Sequence, residues 1–258
     1  GKRNSSLGRL ASASQRLLLE LEYLQLAPAC IDYLRSEGKL QLASTLQEAW
    51  QEKRAQLPSL IYNATLASPE FRRFWKTPTG VGDYPANTGS NVLNSMAALN
   101  DNVRRWLSDD FTGDNLTLEL LLSDILKGDG GALRLALAKQ ALALEVADGL
   151  LSARMDRGPL CAPPLRPAAA DIFDTVVEKF FIAGTQPRAA ALNRRYHDLY
   201  PNIAELEGLL EDTLPASYLS WQQQRDAELT RWIAAPRAHV DRIIAIQKPC
   251  KAGEQIGS

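Results

Sequence analysis

Histidine is scarce in this sequence, cysteine is little better represented, and neither sign of charge is in surplus. The two histidines among 258 residues, His197 in Tyr196-His197-Asp198 and His239 in His239-Val240-Asp241, lack the one-turn spacing of helical zinc ligands, so no metal is expected and both read as surface or packing residues. With 29 Lys+Arg against 30 Asp+Glu, the whole-protein field offers nothing to a phosphate backbone, which argues against nucleic acid as a partner. Long apolar runs are missing too: Glu20 and Glu22 break one leucine-rich stretch, and Arg134, Lys139 and Glu145 break another, so no transmembrane helix is expected. Residues Gly1 to Gly8 are polar and basic, without the apolar core of an export signal. No GxSxG, Walker A or GxGxxG pattern occurs, and no cofactor is expected; Thr79-Gly80-Val81-Gly82-Asp83 comes nearest to a phosphate loop but lacks the following lysine.

What is abundant is helical periodicity. Val92, Leu93, Met96, Leu99, Val103, Trp106 and Leu107 form an apolar stripe at three- and four-residue spacing, with Ser90 as N-cap and Asn100, Asn102, Arg104 and Arg105 assigned to the other side. Ile172, Phe173, Val176, Val177, Phe180 and Phe181 repeat the pattern, with Gly184 as the stop. A seam from Leu40 to Ile61 crosses Pro58, and a long element over 216–247 crosses Pro236. Over 132–155, Leu133, Leu137, Leu144 and Leu151 mark one face and Leu135, Leu142 and Val146 another, the pattern of a central helix. Shorter helices are expected at 12–26, 28–37, 116–127 and 187–213, the last interrupted near Pro201. No alternating run is long enough for a strand. The expected fold is all-α: a multi-helix orthogonal or bundle-like array of about eight to ten helices without significant sheet. Residues 1–258 are read as a single helical domain, with 156–167 as the place where it would divide.

Chemistry-bearing clusters are few. Asp109, Asp110 and Asp114 lack the spacing of a calcium loop and read as helix ends and caps. The carboxylate pairs Glu205 with Glu207 and Glu211 with Asp212 read as a solvated helix face. Arg72 and Arg73 beside Phe74, Trp75 and Lys76 form a small basic aromatic cluster. Cys30 lies in helical context and reads as a small buried hydrophobe. Cys161 and Cys250 both lie in proline-flanked irregular segments; if the chain is exported, they are the pair expected to form a disulfide.

Arg3-Asn4-Ser5-Ser6-Leu7-Gly8-Arg9, followed by Ser14-Gln15-Arg16-Leu17 and then Cys30-Ile31, resembles an uncharacterised proteobacterial family, domain of unknown function 3080. The resemblance implies a periplasmic or membrane-anchored protein of a Gram-negative bacterium, tethered by a lipid group attached upstream, and implies no activity for any residue. Read as chemistry, the same stretch either caps the first helix from Ser12 or Ser14, or gathers Arg3, Asn4, Ser5 and Arg16 around an anion. Tyr84, in the 76–90 loop, and His197 complete the candidate ligand-binding residues.

Packing signals outnumber catalytic ones, so the leading expectation is a noncatalytic binding or scaffolding protein of the cell envelope, its partner a protein or small molecule. Two alternatives stand beside it. One is a hydrolase using a carboxylate or His197 in a cleft under the 76–90 loop. The other is a helical pocket for an apolar small molecule, lined by Phe173, Val177, Phe180, Trp221 and Trp232.

Overall fold

The computed structural model describes residues 12–86, 88–162 and 165–252. They are predominantly helical, with no strand among them; the only pairing of extended backbone is an isolated bridge between Ala162 and Leu165. The helices are α1 (Ala13–Ser36), α2 (Leu40–Ala64), α3 (Pro69–Phe74), α4 (Asn91–Leu107), α5 (Asn115–Leu126), α6 (Gly130–Met155), α7 (Ala168–Val176), α8 (Gln186–Leu209) and α9 (Ala216–Ala252). A π-helical stretch, Val177–Thr185, joins α7 to α8, and a 3-10 turn, Glu211–Thr213, precedes α9. The chain divides into two compact units. The first takes the described part of Gly1–Lys76 with Thr88–Gly131 and Asp198–Leu219; the second takes Thr77–Asn87, Ala132–His197 and Ser220–Ser258 as far as they are described. Residues 156–167 lie inside the second unit.

The first unit is built on α1 and α2, whose facing stripes bury Ala27, Ile31, Leu34 and Ala43 against Tyr23, Leu46 and Trp50. Ser12 opens α1 with a capping box, its hydroxyl accepting from the Gln15 N–H while the Gln15 side chain accepts from the Ser12 N–H,. Helix α1 does not stop at Ala27, where the sequence suggested two shorter helices; it runs on through Pro28. Proline cannot donate to the carbonyl one turn back. That carbonyl belongs to Leu24, and it accepts instead from the indole N–H of Trp50 at 3.0 Å. A residue from the neighbouring helix thus satisfies the group that Pro28 leaves open. The same helix carries Cys30, which is exposed and not in a disulfide. It falls beside the stripe Ala27, Ile31, Leu34, and is no core residue.

Helix α4 buries Val92, Met96, Leu99, Val103 and Trp106 as its spacing requires. Asn100, assigned above to the polar side, is 1% exposed. It follows Met96 by four residues and so shares its face; its amide donates to the Asn202 carbonyl at 2.9 Å and to Glu205 at 3.1 Å. Ser90 precedes α4 without a side-chain capping bond. The turn between α5 and α6 packs with no space to spare. A Cβ on Gly128 or Gly130 would come within 2.5 or 2.3 Å of the Phe74 ring, and one on Gly131 within 2.1 Å of the Lys76 carbonyl oxygen.

The second unit departs from the sequence reading in two instructive places. Gly184 does not end a helix: the π-helical stretch carries the chain through it into α8, and Pro201 then lies within α8 without interrupting it. Helix α6 is not central. Leu133, Leu137 and Leu144 are buried, yet Leu142, Val146 and Leu150 on its other flank are exposed, Leu150 by 71%. Two apolar stripes predict two packed neighbours only if both neighbours exist; within this unit one stripe is left partly uncovered.

Candidate functional site

The uncovered side of α6 borders an open groove of about 730 Å³ within the second unit. One wall is α6, presenting the small residues Ala136, Ala143 and Ala147 between Leu144 and Leu151. The other is α7 and the π-helical stretch, presenting Phe173, Val176, Val177, Phe180 and Phe181. Phe181, Val177, Leu144 and Ile243 are buried together at its base. Phe180 remains 69% exposed. The i to i+5 register of a π-helix widens the turn, and such turns recur at functional sites; here the Gln186 N–H reaches back to the Phe181 carbonyl.

Polar groups in this lining are few. His239 is buried, its Nδ1 2.6 Å from Asp148 Oδ1 and its ring tilted against Phe181 at 4.9 Å between centroids. Arg242 Nε lies 3.5 Å from the same carboxylate oxygen, and the Arg242 guanidinium also donates to Ser152. Asp148 therefore anchors both side chains. The second ring nitrogen of His239 hydrogen-bonds to no described serine, threonine or cysteine. The hydroxyl of Thr185, which lines the groove, donates to the Phe180 carbonyl at 3.2 Å. Asp148 holds the His239 imidazole in place. Gln140 Oε1 is shielded in the same wall with no hydrogen-bond partner. The charged residues of the lining are Lys139 and Arg188, both exposed, and no carboxylate is among them.

The sequence-derived candidates scatter. Arg3, Asn4 and Ser5 lie outside the described residues. Arg16 is exposed on α1. Tyr84 is half-buried and precedes a cis peptide bond to Pro85. His197 is exposed and lines a second cavity in the same unit, about 650 Å³, whose walls come from α6, α8 and α9, with Gln140 and Phe181 shared with the first. No residue of the 76–90 loop lines that cavity. Of the aromatic and aliphatic set suggested for an apolar pocket, Phe173, Val177 and Phe180 line the groove and Trp221 and Trp232 do not; Trp221 lies under the buried Arg225 guanidinium, 4.9 Å from it. Cys161 and Cys250 are joined as a disulfide across 89 residues, buried with Ala170.

The other clusters have structural employment. Phe74 is buried beneath the glycine turn, so the aromatic half of the Arg72 to Lys76 cluster belongs to packing. Glu205 holds Asn100 and Arg104, Glu207 accepts from the Tyr218 hydroxyl at 2.7 Å, and Asp114 caps α5. Among the described residues no group of three or more His, Cys, Asp or Glu is placed to hold a metal ion, and no helix is long and apolar enough to cross a membrane.

A family described as protein of unknown function, DUF3080, matches residues 1–248. The chain belongs to this family. No curated protein and no solved structure matches it. The sequence missed Asp148 with His239 because 91 residues separate them and no local motif marks either. The groove wall was legible in part, since Lys139, Ala143 and Ala147 recur every four residues between the two leucine stripes.

Proposed function

We propose that this protein is a noncatalytic binding protein of the bacterial cell envelope, and that its ligand is an apolar small molecule seated in the groove between α6 and the α7 to π-helical segment. The observation that carries this reading is a concave apolar surface of about 730 Å³ with a single buried, fixed imidazole in its wall. Binding sites for small molecules have this composition and size: mostly hydrophobic and aromatic, with a few placed polar groups, and roughly 300–1,000 Å³. Phe180 and Leu150, both exposed in the lining, cost solvation free energy that a ligand would recover, about 25 cal/mol for each Å² removed from water. Envelope placement is supported by the Cys161 and Cys250 pair, since such bonds persist in oxidising compartments,.

The test uses N-phenylnaphthylamine, a neutral apolar fluorophore, titrated against the full chain with its disulfide intact. Saturable fluorescence enhancement is expected. Replacing Ala143 and Ala147 together with tryptophan fills the groove from an already open side, and should weaken binding roughly tenfold or more, a change of about 1.4 kcal/mol, while helical circular dichroism is retained. A folded double variant that binds the dye as tightly as the parent would refute the reading.

A further inference from the structure

Resting on that reading, we infer that the ligand is a single-chain anionic amphiphile, a long-chain fatty acid, with its carboxylate at the Lys139 and Arg188 end and its alkyl chain laid along α6. The direction of the groove follows from pairings inside the second unit. Arg134 meets Glu228, Asp148 meets His239 and Ser152 meets Arg242, so α9 runs parallel to α6 there. Phe181 meets His239 and Asp174 meets Gln247, so the α7 and π-helical path runs antiparallel to both. Residue 188 therefore comes level with residue 139, and Phe173 lies toward the Leu151 end. Both cations fall at one end of the groove, and toward the other end the lining is apolar apart from the neutralised pair of His239 with Asp148.

Length and charge then select the occupant. Twelve residues of α6, from Lys139 to Leu151, span about 18 Å at the rise of an α-helix. One acyl chain of a membrane lipid covers about half of a ~30 Å hydrocarbon core, so an extended chain of that class fits the wall from Lys139 to Leu151. Along this path Ala143 and Ala147 present only methyl groups to the groove. With two cations and no carboxylate in the lining, the polar end attracts an anion and disfavours an ammonium head.

The experiment is competition of palmitate against bound N-phenylnaphthylamine, with hexadecanol as the uncharged analogue and butyrate as the short one. Palmitate should displace the dye, hexadecanol about tenfold less well, and butyrate not at all. In the double variant Lys139→Glu with Arg188→Glu, both exposed sites, the roughly tenfold preference for palmitate over hexadecanol should be lost. Dye binding with no preference for palmitate over hexadecanol, or with no effect of charge reversal, would overturn the fatty-acid inference and leave the binding function standing; absence of dye binding would remove both. Sedimentation with anionic phospholipid vesicles in place of palmitate binding, or a dimer that excludes the dye, would assign the groove to a bilayer or to a second copy and likewise overturn it.

Discussion

Two helical glycines summarise how differently the two units are built. At Gly131, in the first, a single methyl group would lie 2.1 Å from the Lys76 carbonyl oxygen; at Gly184, in the second, it would meet nothing within 4 Å. The first unit closes its helices onto each other until a hydrogen is all that fits, and it spends a tryptophan donor on the carbonyl exposed by Pro28. The second unit leaves Phe180, Leu150 and Val146 in contact with solvent and ties its chain covalently through Cys161 and Cys250. Dense packing and an open apolar groove are competing uses of the same leucines and phenylalanines. A region that keeps its groove open gives up burial, and a crosslink is one way to restore the lost stability.

That contrast is broken most severely by removing the crosslink. In the loop-entropy account, opening an 89-residue span costs up to about 4.5 kcal/mol. Cys161→Ala with Cys250→Ala should therefore lower the denaturation midpoint by the largest amount of any change considered, and amide exchange should rise first in residues 165–176 and 240–251. A double alanine variant with parental stability and exchange would mean that packing alone holds the second unit. Digestion without reductant of protein taken from an oxidising compartment should likewise yield the two cysteines in one linked peptide pair.

The glycines give the next largest effect, and one of opposite sign in the two places. Gly131→Ala drives a methyl into backbone that has no side chain to move aside, so a loss of about 3 kcal/mol is expected. Gly184→Ala adds helix propensity in open space and should gain about 0.5–1 kcal/mol. Urea midpoints of the two single variants decide the matter. Equal responses would show that the difference in packing carries no energetic weight.

The sequence made the helices legible because one face of each had to be apolar, and that demand leaves a period that survives without any knowledge of neighbours. At Asn100 position outweighs polarity: four residues after Met96 it faces inward, where Asn202 and Glu205 receive its amide. Continuity through Pro28 depended on Trp50, a partner 26 residues from the carbonyl it serves, and no local pattern announces such a donor. Gly184 as a terminator was sound for an α-helix and failed because a π-helical register carries the chain past it. Cys161 and Cys250 stood out by their proline-rich surroundings, whereas Asp148 and His239 had no such flag. The groove is the complement of a covered face, and a list of apolar residues cannot say which of two stripes finds a neighbour.

The smallest expected effect separates the units electrostatically. A hydrogen bond from Arg134 holds the Glu228 carboxyl below its usual range, and one from Arg54 does the same for Asp109, while partial burial opposes each. Groups with depressed native values add stability above the ordinary carboxylate pKa, and lose it as pH falls toward the lowered one. Glu228, with a quarter of its side chain exposed, is the better shielded; Asp109 is 52% exposed and its pair is screened by solvent,. Glu228→Gln should thus cost somewhat under 1 kcal/mol at neutral pH, with the difference from the parent shrinking as pH drops below about 4.3. Asp109→Asn should be smaller still at moderate salt, since asparagine tolerates the left-handed backbone that Asp109 adopts at φ 68°,. Stability measured against pH for the three proteins tests the ordering: a larger loss in Asp109→Asn, or a Glu228→Gln difference that grows toward acid, would contradict it.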